Sequence, residues 1–235
     1  MIARFAELDY QETPMGAISL RRRFDPTLEI DVFEVKLGEE FLMSSSFTVA
    51  EIALATLGLA ATDRENITVM NGGLGLGYTA HAALTDPRVS ALTVVEALGA
   101  VVGWHEAELL PVSGEIVGDP RTKLVTDDFF ALMRREPVET YDVLLLDIDH
   151  TPHYLLNDSH RDFYSVEGLA RMRRHLTPGG IFALWSDEAP EPAFEQLLAQ
   201  VFDTTEGHIV EFDNALTGGT SVNGVYVARD STDRS

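Results

Sequence analysis

Four predicted apolar strands each end in glycine, amide or acidic residues. These residues are Asn71 with Gly73, Gly75 and Gly77; Glu96; Asp127 with Asp128; and Asp147 with Asp149. In a parallel α/β sheet, ligands bind beyond the carboxyl ends of the strands, near the point where the strand order reverses. The sequence therefore predicts one site formed from all four strand ends.

The glycine-rich segment has the layout of a nucleotide-binding turn. Residues 67–72 are typical of a buried strand, Tyr78–Leu84 of a helix, and Val89–Glu96 of a second strand. The third glycine comes one residue earlier than in the dinucleotide fingerprint, a spacing more typical of adenosyl-methionine sites. We expect Gly73, Gly75, Gly77 and Asn71 to contact a nucleoside ligand and Glu96 to accept its ribose hydroxyls. A glycine-rich turn without a ligand is the alternative.

The segment Asp147–Tyr154 places two carboxylates and two imidazoles after a buried strand. A carboxylate there can hold an amine or remove its proton. Asp147 alone could instead hydrogen-bond the loop backbone. Asp147, Asp149, His150, His153 and His160 could also be interpreted as a metal site, but no metal-ligand spacing supports it, and we predict none.

Strands alternate with helices through most of the chain, which predicts an α/β fold with a doubly wound, mostly parallel Rossmann-like sheet. Predicted helices lie at Ala97–Leu110, Asp128–Arg135, Asp162–Leu176 and Ala193–Phe202, and further strands at Leu124–Asp128, Tyr141–Asp147 and Ile181–Trp185. Thr177–Gly180 is typical of a tight turn. The closing strands His208–Phe212 and Gly224–Ala228 have no helix between them and predict an antiparallel edge. Asp127 could alternatively cap the helix that follows it.

A small β-element is predicted before the main domain, with strands at Gly16–Phe24, Glu29–Leu37 and Phe41–Met43. Thr48 and Glu51 have the spacing of a capping box for a helix at about Val49–Ala60. We therefore divide the chain into a β-element at residues 1–46 and a catalytic domain at residues 47–235. Open strand edges and apolar residues such as Phe33 and Val35, expected to be exposed, predict a homodimer.

Composition excludes several classes of partner. The 235 residues carry a net charge of −21, with two lysines against fifteen arginines, so the surface repels nucleic acid and anionic membranes. There is no cysteine, hence no disulfide or thiol chemistry. No apolar stretch is long enough to span a membrane, and the first residues lack a signal-peptide core, so we expect a cytoplasmic protein.

These motifs resemble the spermidine synthase family of aminopropyltransferases, within the adenosyl-methionine methyltransferase fold. The likeness runs from about Phe41 to Phe202. It is carried by the glycine turn and by the segments Thr93–Glu96, Thr126–Phe130, Tyr141–Asp147, Phe163–Tyr164 and Leu176–Gly180, in the family's order and spacing.

The resemblance implies a polyamine-synthesis transferase whose co-substrate is decarboxylated S-adenosylmethionine. It implies that Glu96 binds the ribose, that Asp127, beside Asp128, binds the adenine amino group, and that Asp147 is the general base. Asp149, His150 and Tyr154 would bind the acceptor, a small amine or polyamine.

Three positions depart from the family pattern. Leu74 stands where the turn usually carries an aspartate that holds the aminopropyl amine. His150 stands where the family has a second loop aspartate, and Val49 where it has a tyrosine. Two alternatives therefore stay open: a methyltransferase or other enzyme that uses intact S-adenosylmethionine, and a non-catalytic nucleoside-binding or assembly protein.

Overall fold

A computed structural model describes residues 5–230 of the chain. Its centre is a seven-stranded sheet in the order β10-β11-β9-β8-β5-β6-β7. The strands are β5 (Ile67–Gly72), β6 (Val89–Glu96), β7 (Thr122–Thr126), β8 (Tyr141–Leu146), β9 (Leu176–Ser186), β10 (Thr204–Asn214) and β11 (Gly219–Arg229). Strands β5 to β9 pair in parallel, whereas β11 runs antiparallel to both β9 and β10. The predicted α/β class and the antiparallel edge are confirmed.

The central strands are nearly continuous apolar runs because both faces of the sheet are covered. In β8, Val143 to Leu146 are fully buried, and in β9 the run from Ile181 to Leu184 is equally inaccessible. The covering helices are α1 (Val49–Ala60), α2 (Tyr78–Thr85), α3 (Gly99–Glu106), α4 (Ser113–Val117), α5 (Phe129–Met133), α6 (Val166–Arg173) and α7 (Pro192–Leu198). Helix α4 had no counterpart in the sequence prediction, and α3, α5, α6 and α7 are shorter than predicted.

The β-element before α1 is a four-stranded antiparallel sheet in sequence order. Its strands are β1 (Phe5–Thr13), β2 (Gly16–Asp25), β3 (Ile30–Leu37) and β4 (Glu40–Ser44). Strand β1 was not predicted. Trp104 of α3 donates its indole N–H to Asp9 at 2.6 Å, which ties β1 to the main sheet's helical layer. The division of the chain after residue 46 stays a prediction.

The apolar surface of this β-element differs from the expectation. Val35 is fully buried and Phe33 half-buried, because one face of the small sheet packs on the core that also contains α1. The large apolar side chains that are exposed instead are Phe5, Tyr10, Met15, Phe24, Ile30 and Phe41.

Two local predictions were wrong. Thr48 makes no side-chain cap at the start of α1, because its backbone, with ψ 12°, is not in the extended conformation of an N-cap, and the Glu51 side chain lines a cavity. Thr177–Gly180 is not a free turn but an irregular part of β9, where Gly179 adopts φ +74° and the pairing with β8 shifts register.

Among residues 5–230, none of the helices combines the length and the apolar character needed to cross a membrane.

Candidate functional site

The site lies where the strand order reverses, between β5 and β8. The backbone N–H of Asp147 donates to the Gly72 carbonyl at 2.9 Å, which joins the two strand ends. A Cβ on Gly73 would lie 2.1 Å from the Asp147 carbonyl oxygen. Only glycine therefore allows the turn to pass this close to the end of β8.

The glycine turn is also held in place by His105, a residue that the sequence interpretation did not identify. His105 is fully buried on α3, and its Nε2 lies 3.0 Å from the Gly75 carbonyl oxygen. Its Nδ1 lies 3.1 Å from the Ser113 hydroxyl. Burial lowers the pKa of His105, so a neutral ring donates to the carbonyl and accepts from the hydroxyl. A Cβ on Gly77 would lie 2.6 Å from this ring.

Glu96 ends β6 beside the turn, as predicted. Its carboxylate accepts hydrogen bonds from the backbone N–H groups of Leu74 at 3.0 Å and Leu98 at 2.9 Å. Burial raises its pKa, and these donors oppose the shift. Glu96 thus orders the glycine turn and also lines a cavity in which a ligand hydroxyl can reach it.

The two acidic residues after β7, Asp127 and Asp128, have roles that differ from the prediction. Asp128 caps α5 by accepting from the Ala131 N–H at 3.0 Å, and it also lines the cavity beside Glu96. Asp127 lies 3.0 Å from Arg135 and lines no described cavity. The alternative of a helix cap was therefore right in kind but falls on Asp128, because its backbone is extended at the N-cap position.

Asn71 holds the glycine turn in place and lines neither of the two cavities that adjoin this turn. It is fully buried, and its side-chain amide donates to the Gly73 carbonyl at 2.7 Å. Its predicted direct contact with a nucleoside is not supported by this placement, since the side chain lies beneath the turn backbone.

Two cavities adjoin at Asp147. The first, here called the apolar cavity, has a volume of about 310 Å³ and is lined by Gly73, Gly75, Val95, Glu96, Leu98, Val101, Asp128, Phe129, Phe130 and further side chains of β2 to β4. Mostly apolar walls with the carboxylates of Glu96, Asp128 and Asp147 suit a nucleoside, whose base is flat and whose ribose carries hydroxyls.

The second, the acidic cavity, has a volume of about 510 Å³ and lies on the other side of the glycine turn. Three carboxylates line it, those of Glu51, Asp147 and Asp187. No lysine or arginine is among its lining residues within the described chain. Asp147, Gly75 and Met43 line both cavities, so a ligand in one can reach a ligand in the other.

Asp147 has the environment predicted for a base. Its Oδ2 accepts a hydrogen bond from the Thr79 hydroxyl at 2.7 Å. Burial raises the pKa of Asp147 to about 6, and the Thr79 donor opposes the shift. A carboxylate with this pKa is ionised at neutral pH and is a stronger base than an exposed aspartate.

Glu51 is the main site residue that the sequence interpretation misplaced. It was assigned to a capping box, yet its carboxylate faces the acidic cavity beside Asp147. Burial first and repulsion from Asp147 second raise the pKa of Glu51 to about 8. The missed signal was the position of Glu51 in the first turn of a helix that packs beside α2.

The polar residues of the loop after β8 lie in different environments. Asp149 is buried and accepts from the Leu156 N–H at 2.8 Å, from His160 at 2.8 Å and from the Tyr164 hydroxyl at 2.9 Å. It organises the loop and lines neither cavity, so the predicted substrate contact of Asp149 is not supported. Its hydrogen-bonding capacity is used within the protein.

His150 lines the acidic cavity, with its Nε2 3.5 Å from Glu40, and its contact with the acceptor stays a prediction. Tyr154 is 59% exposed and contacts the outer side of the His150 ring, so its predicted contact with substrate is also unsupported.

The five residues of the alternative metal site do not come together as one group in the structure. Asp149 pairs with His160, His150 lies beside Glu40, and His153 lies beside Glu188 and Glu191. Over residues 5–230, the group with metal-binding geometry is His153, Glu188 and Glu191, all exposed and outside both cavities.

Two of the residues that depart from the family pattern, Leu74 and Val49, can be located in the structure. Leu74 is buried and lines the acidic cavity at the glycine turn, where it offers no charge. Val49 is exposed at the start of α1 and lines neither cavity.

No protein-family model matches the chain. Curated proteins that are similar in sequence include two aminopropyltransferases. The polyamine aminopropyltransferase of Prochlorococcus marinus (strain MIT 9312) is 28% identical over 142 residues, which cover 60% of this chain and 47% of that protein. Polyamine aminopropyltransferase 2 of Streptomyces coelicolor (strain ATCC BAA-471 / A3(2) / M145) is 30% identical over 120 residues, 50% of this chain and 21% of that protein. The chain thus matches less than half the length of these relatives.

Solved structures agree in fold. A spermidine synthase crystallised with the transition state analogue AdoDATO has a TM-score of 0.73 at 17% identity, covering 97% of this chain and 74% of that one. Spermidine synthase from Thermotoga maritima gives 0.72 at 16% identity, with the same coverage. A probable spermidine synthase from Corynebacterium glutamicum ATCC 13032 gives 0.65 at 17% identity, covering 97% of this chain and 81% of that one. The resemblance to the spermidine synthase family, with its methyltransferase-like fold, is confirmed.

Proposed function

We propose that this relative of the spermidine synthases transfers an aminopropyl group from decarboxylated S-adenosylmethionine to a small amine. The observation that carries the proposal is the meeting of the two cavities at Asp147. The apolar cavity would hold the adenosyl part of the donor, with Glu96 at the ribose. The acidic cavity would hold the acceptor and the aminopropyl end of the donor.

The reaction needs in-line placement of the two substrates and removal of one proton. The amine nitrogen attacks the carbon next to the sulfonium, the C–S bond breaks, and its electron pair stays on sulfur as a neutral thioether. Asp147 takes a proton from the acceptor's ammonium group, which frees the nitrogen lone pair for the attack. The leaving group needs no acid, since it departs uncharged.

The electrostatics of the acidic cavity favour the decarboxylated donor over intact S-adenosylmethionine. Glu51, Asp147 and Asp187 present carboxylates, with no lysine or arginine among the lining residues of the described chain. The carboxylate of intact S-adenosylmethionine would meet like charges there, whereas an aminopropyl ammonium would be attracted.

The experiment that tests the function is a substrate screen with product identification. The protein is incubated with decarboxylated or intact S-adenosylmethionine and a panel of mono-, di- and polyamines, and products are identified by mass spectrometry. Methylthioadenosine together with an aminopropylated amine supports the proposal. Methylated products from intact S-adenosylmethionine, or no turnover with any pair, would overturn it.

Replacement of Glu96 by alanine should weaken the binding of methylthioadenosine by about 1.5–3 kcal/mol, the range for hydrogen bonds to a charged acceptor. The loss includes the ordering of the turn, since Glu96 also holds the Leu74 N–H. Isothermal calorimetry measures the change, with Glu106→Ala on the exposed side of α3 as the matched control. Equal affinity of Glu96→Ala and the wild-type protein would disprove the ribose assignment.

We also propose a homodimer formed partly through the N-terminal β-element. Phe5, Tyr10, Met15 and Phe41 of this element leave between 40% and 56% of their surface exposed. Such apolar residues grouped on one small element are typical of an interface. Light scattering at micromolar concentration should give twice the chain mass of 25.9 kDa. A monomer would contradict the proposal, and Tyr10→Glu should dissociate a dimer of this kind.

The cytoplasmic location, the absence of nucleic-acid and membrane partners, and the absence of a metal requirement stay predictions from composition and motif.

A further inference from the structure

Glu51 occupies an unusual position for a carboxylate, and the transfer step described above assigns it no proton and no separate contact. It lies in the first turn of α1 with its side chain directed into the acidic cavity. Apart from its own backbone N–H, no donor or cation within residues 5–230 interacts with its carboxylate. A largely desolvated carboxylate without a counter-charge is costly unless a ligand or a proton supplies one.

Asp147 lies next to Glu51, and one residue links them. The Thr79 hydroxyl is 2.7 Å from Asp147 Oδ2 and 3.3 Å from the Glu51 backbone carbonyl. Thr79 is buried in the first turn of α2, which packs against α1. Thr79 therefore joins the Asp147 carboxylate to the backbone of Glu51, and both acidic side chains line the same cavity.

The groups around this pair do not neutralise it. Asp187 at the end of β9 adds a third carboxylate, and Tyr78 on α2 is held neutral because burial raises its pKa. His150, from the loop after β8, is the remaining titratable side chain in the lining, and it lies beside Glu40. Two close carboxylates in such surroundings cannot both ionise readily, so they retain one proton between them near neutral pH.

We propose that Glu51 and Asp147 form a proton-sharing carboxylate pair that binds the ammonium group of the acceptor amine, and that the shared proton leaves to solvent when the amine enters. This inference rests on the proposed function for the identity of the acceptor. It makes Glu51 the residue that selects a cationic over a neutral acceptor.

The proton balance has two stages. On binding, the singly charged pair loses its proton, and the two ionised carboxylates hold one ammonium group. On reaction, that ammonium group gives one proton to Asp147 as its nitrogen forms the new bond to carbon. Once the amine is bound, Glu51 stays ionised and holds the product, which is again an ammonium group.

The test measures amine binding without the donor, so it does not depend on turnover. Calorimetric titration with 1,3-diaminopropane, 1,4-diaminobutane or 1,5-diaminopentane at pH 7, in buffers of different ionisation enthalpy, counts protons released per amine. We expect about one proton for the wild-type protein, since the pair holds one in the free state and none when it faces a cation. Glu51→Gln should release almost none and bind about 10–150-fold more weakly.

Glu188→Gln is the matched control, because it also removes one carboxylate but from an exposed side chain outside both cavities. It should behave as the wild-type protein does. Thermal unfolding of Glu51→Gln establishes that the variant is folded. Because the variant loses the repulsion between Glu51 and Asp147, the acid limb of its pH–rate profile should move to lower pH.

Three results would overturn the inference: no binding of any of the three diamines, binding by the wild-type protein without proton release, or unchanged release by Glu51→Gln. These outcomes are separable from failure of the proposed function. Turnover without proton release refutes only the carboxylate pair, whereas proton release without turnover refutes only the transferase.

Discussion

Replacement of Asp147 by asparagine should reduce turnover about 10²–10⁴-fold, the range for a positioned general base. Asparagine has the same shape and can still accept the hydrogen bond from Thr79, so the cavity should keep its form. It cannot take a proton from the attacking amine. The affinity for methylthioadenosine should change little, because Glu96 and the glycine turn are untouched.

Initial rates of methylthioadenosine formation measure this effect for the donor and amine pair that the substrate screen identifies. Asp158→Asn, on a side chain that is 91% exposed, is the control and should keep full turnover. Full turnover of Asp147→Asn would show that Asp147 is not the base.

The pH dependence adds a second readout for the same residue. Burial raises the pKa of Asp147 to about 6, so the base is protonated and inactive below that pH. The wild-type kcat/KM should therefore fall as pH decreases through about 6, a limb that belongs to the coupled pair with Glu51. Asp147→Asn should lose this limb, and Asp158→Asn should retain it.

Replacement of Gly73 by alanine should destabilise the protein by more than about 3 kcal/mol, at the severe end of single substitutions. Two causes add. Gly73 has φ +92°, which costs a side-chain-bearing residue about 1–2 kcal/mol. The new Cβ would also lie 2.1 Å from the Asp147 carbonyl oxygen, which belongs to the backbone and cannot rotate away.

Gly38→Ala separates the two causes. Gly38 also has a positive φ, +58°, but a Cβ added there would have no heavy atom within 4 Å beyond its chain neighbours. This variant should therefore lose only the conformational part. Urea unfolding at constant m-value measures both variants. Equal losses would mean that the end of β8 moves freely away from the turn, and that the close approach does not position Asp147.

Local pattern was enough to predict the fold class and the strand ends that form the site. Apolar runs such as Tyr141–Leu146 and the spacing of Gly73, Gly75 and Gly77 constrain the backbone within a few residues of themselves. Parallel strands then bring Glu96 and Asp147 to one edge of the sheet, whatever the details of packing. Those predictions depend on short stretches of chain, which a sequence displays directly.

The direction of polar side chains was decided by the tertiary structure. Glu51, Thr79 and His105 act on Asp147 or on the glycine turn across large sequence separations, and only the packing of α1, α2 and α3 shows these contacts. Asp149, two residues beyond Asp147, faces inward because His160 and Tyr164 fold back to meet it. A carboxylate at the end of a strand is visible in the sequence, but whether it meets a ligand, a cap or another side chain depends on groups that folding alone brings beside it.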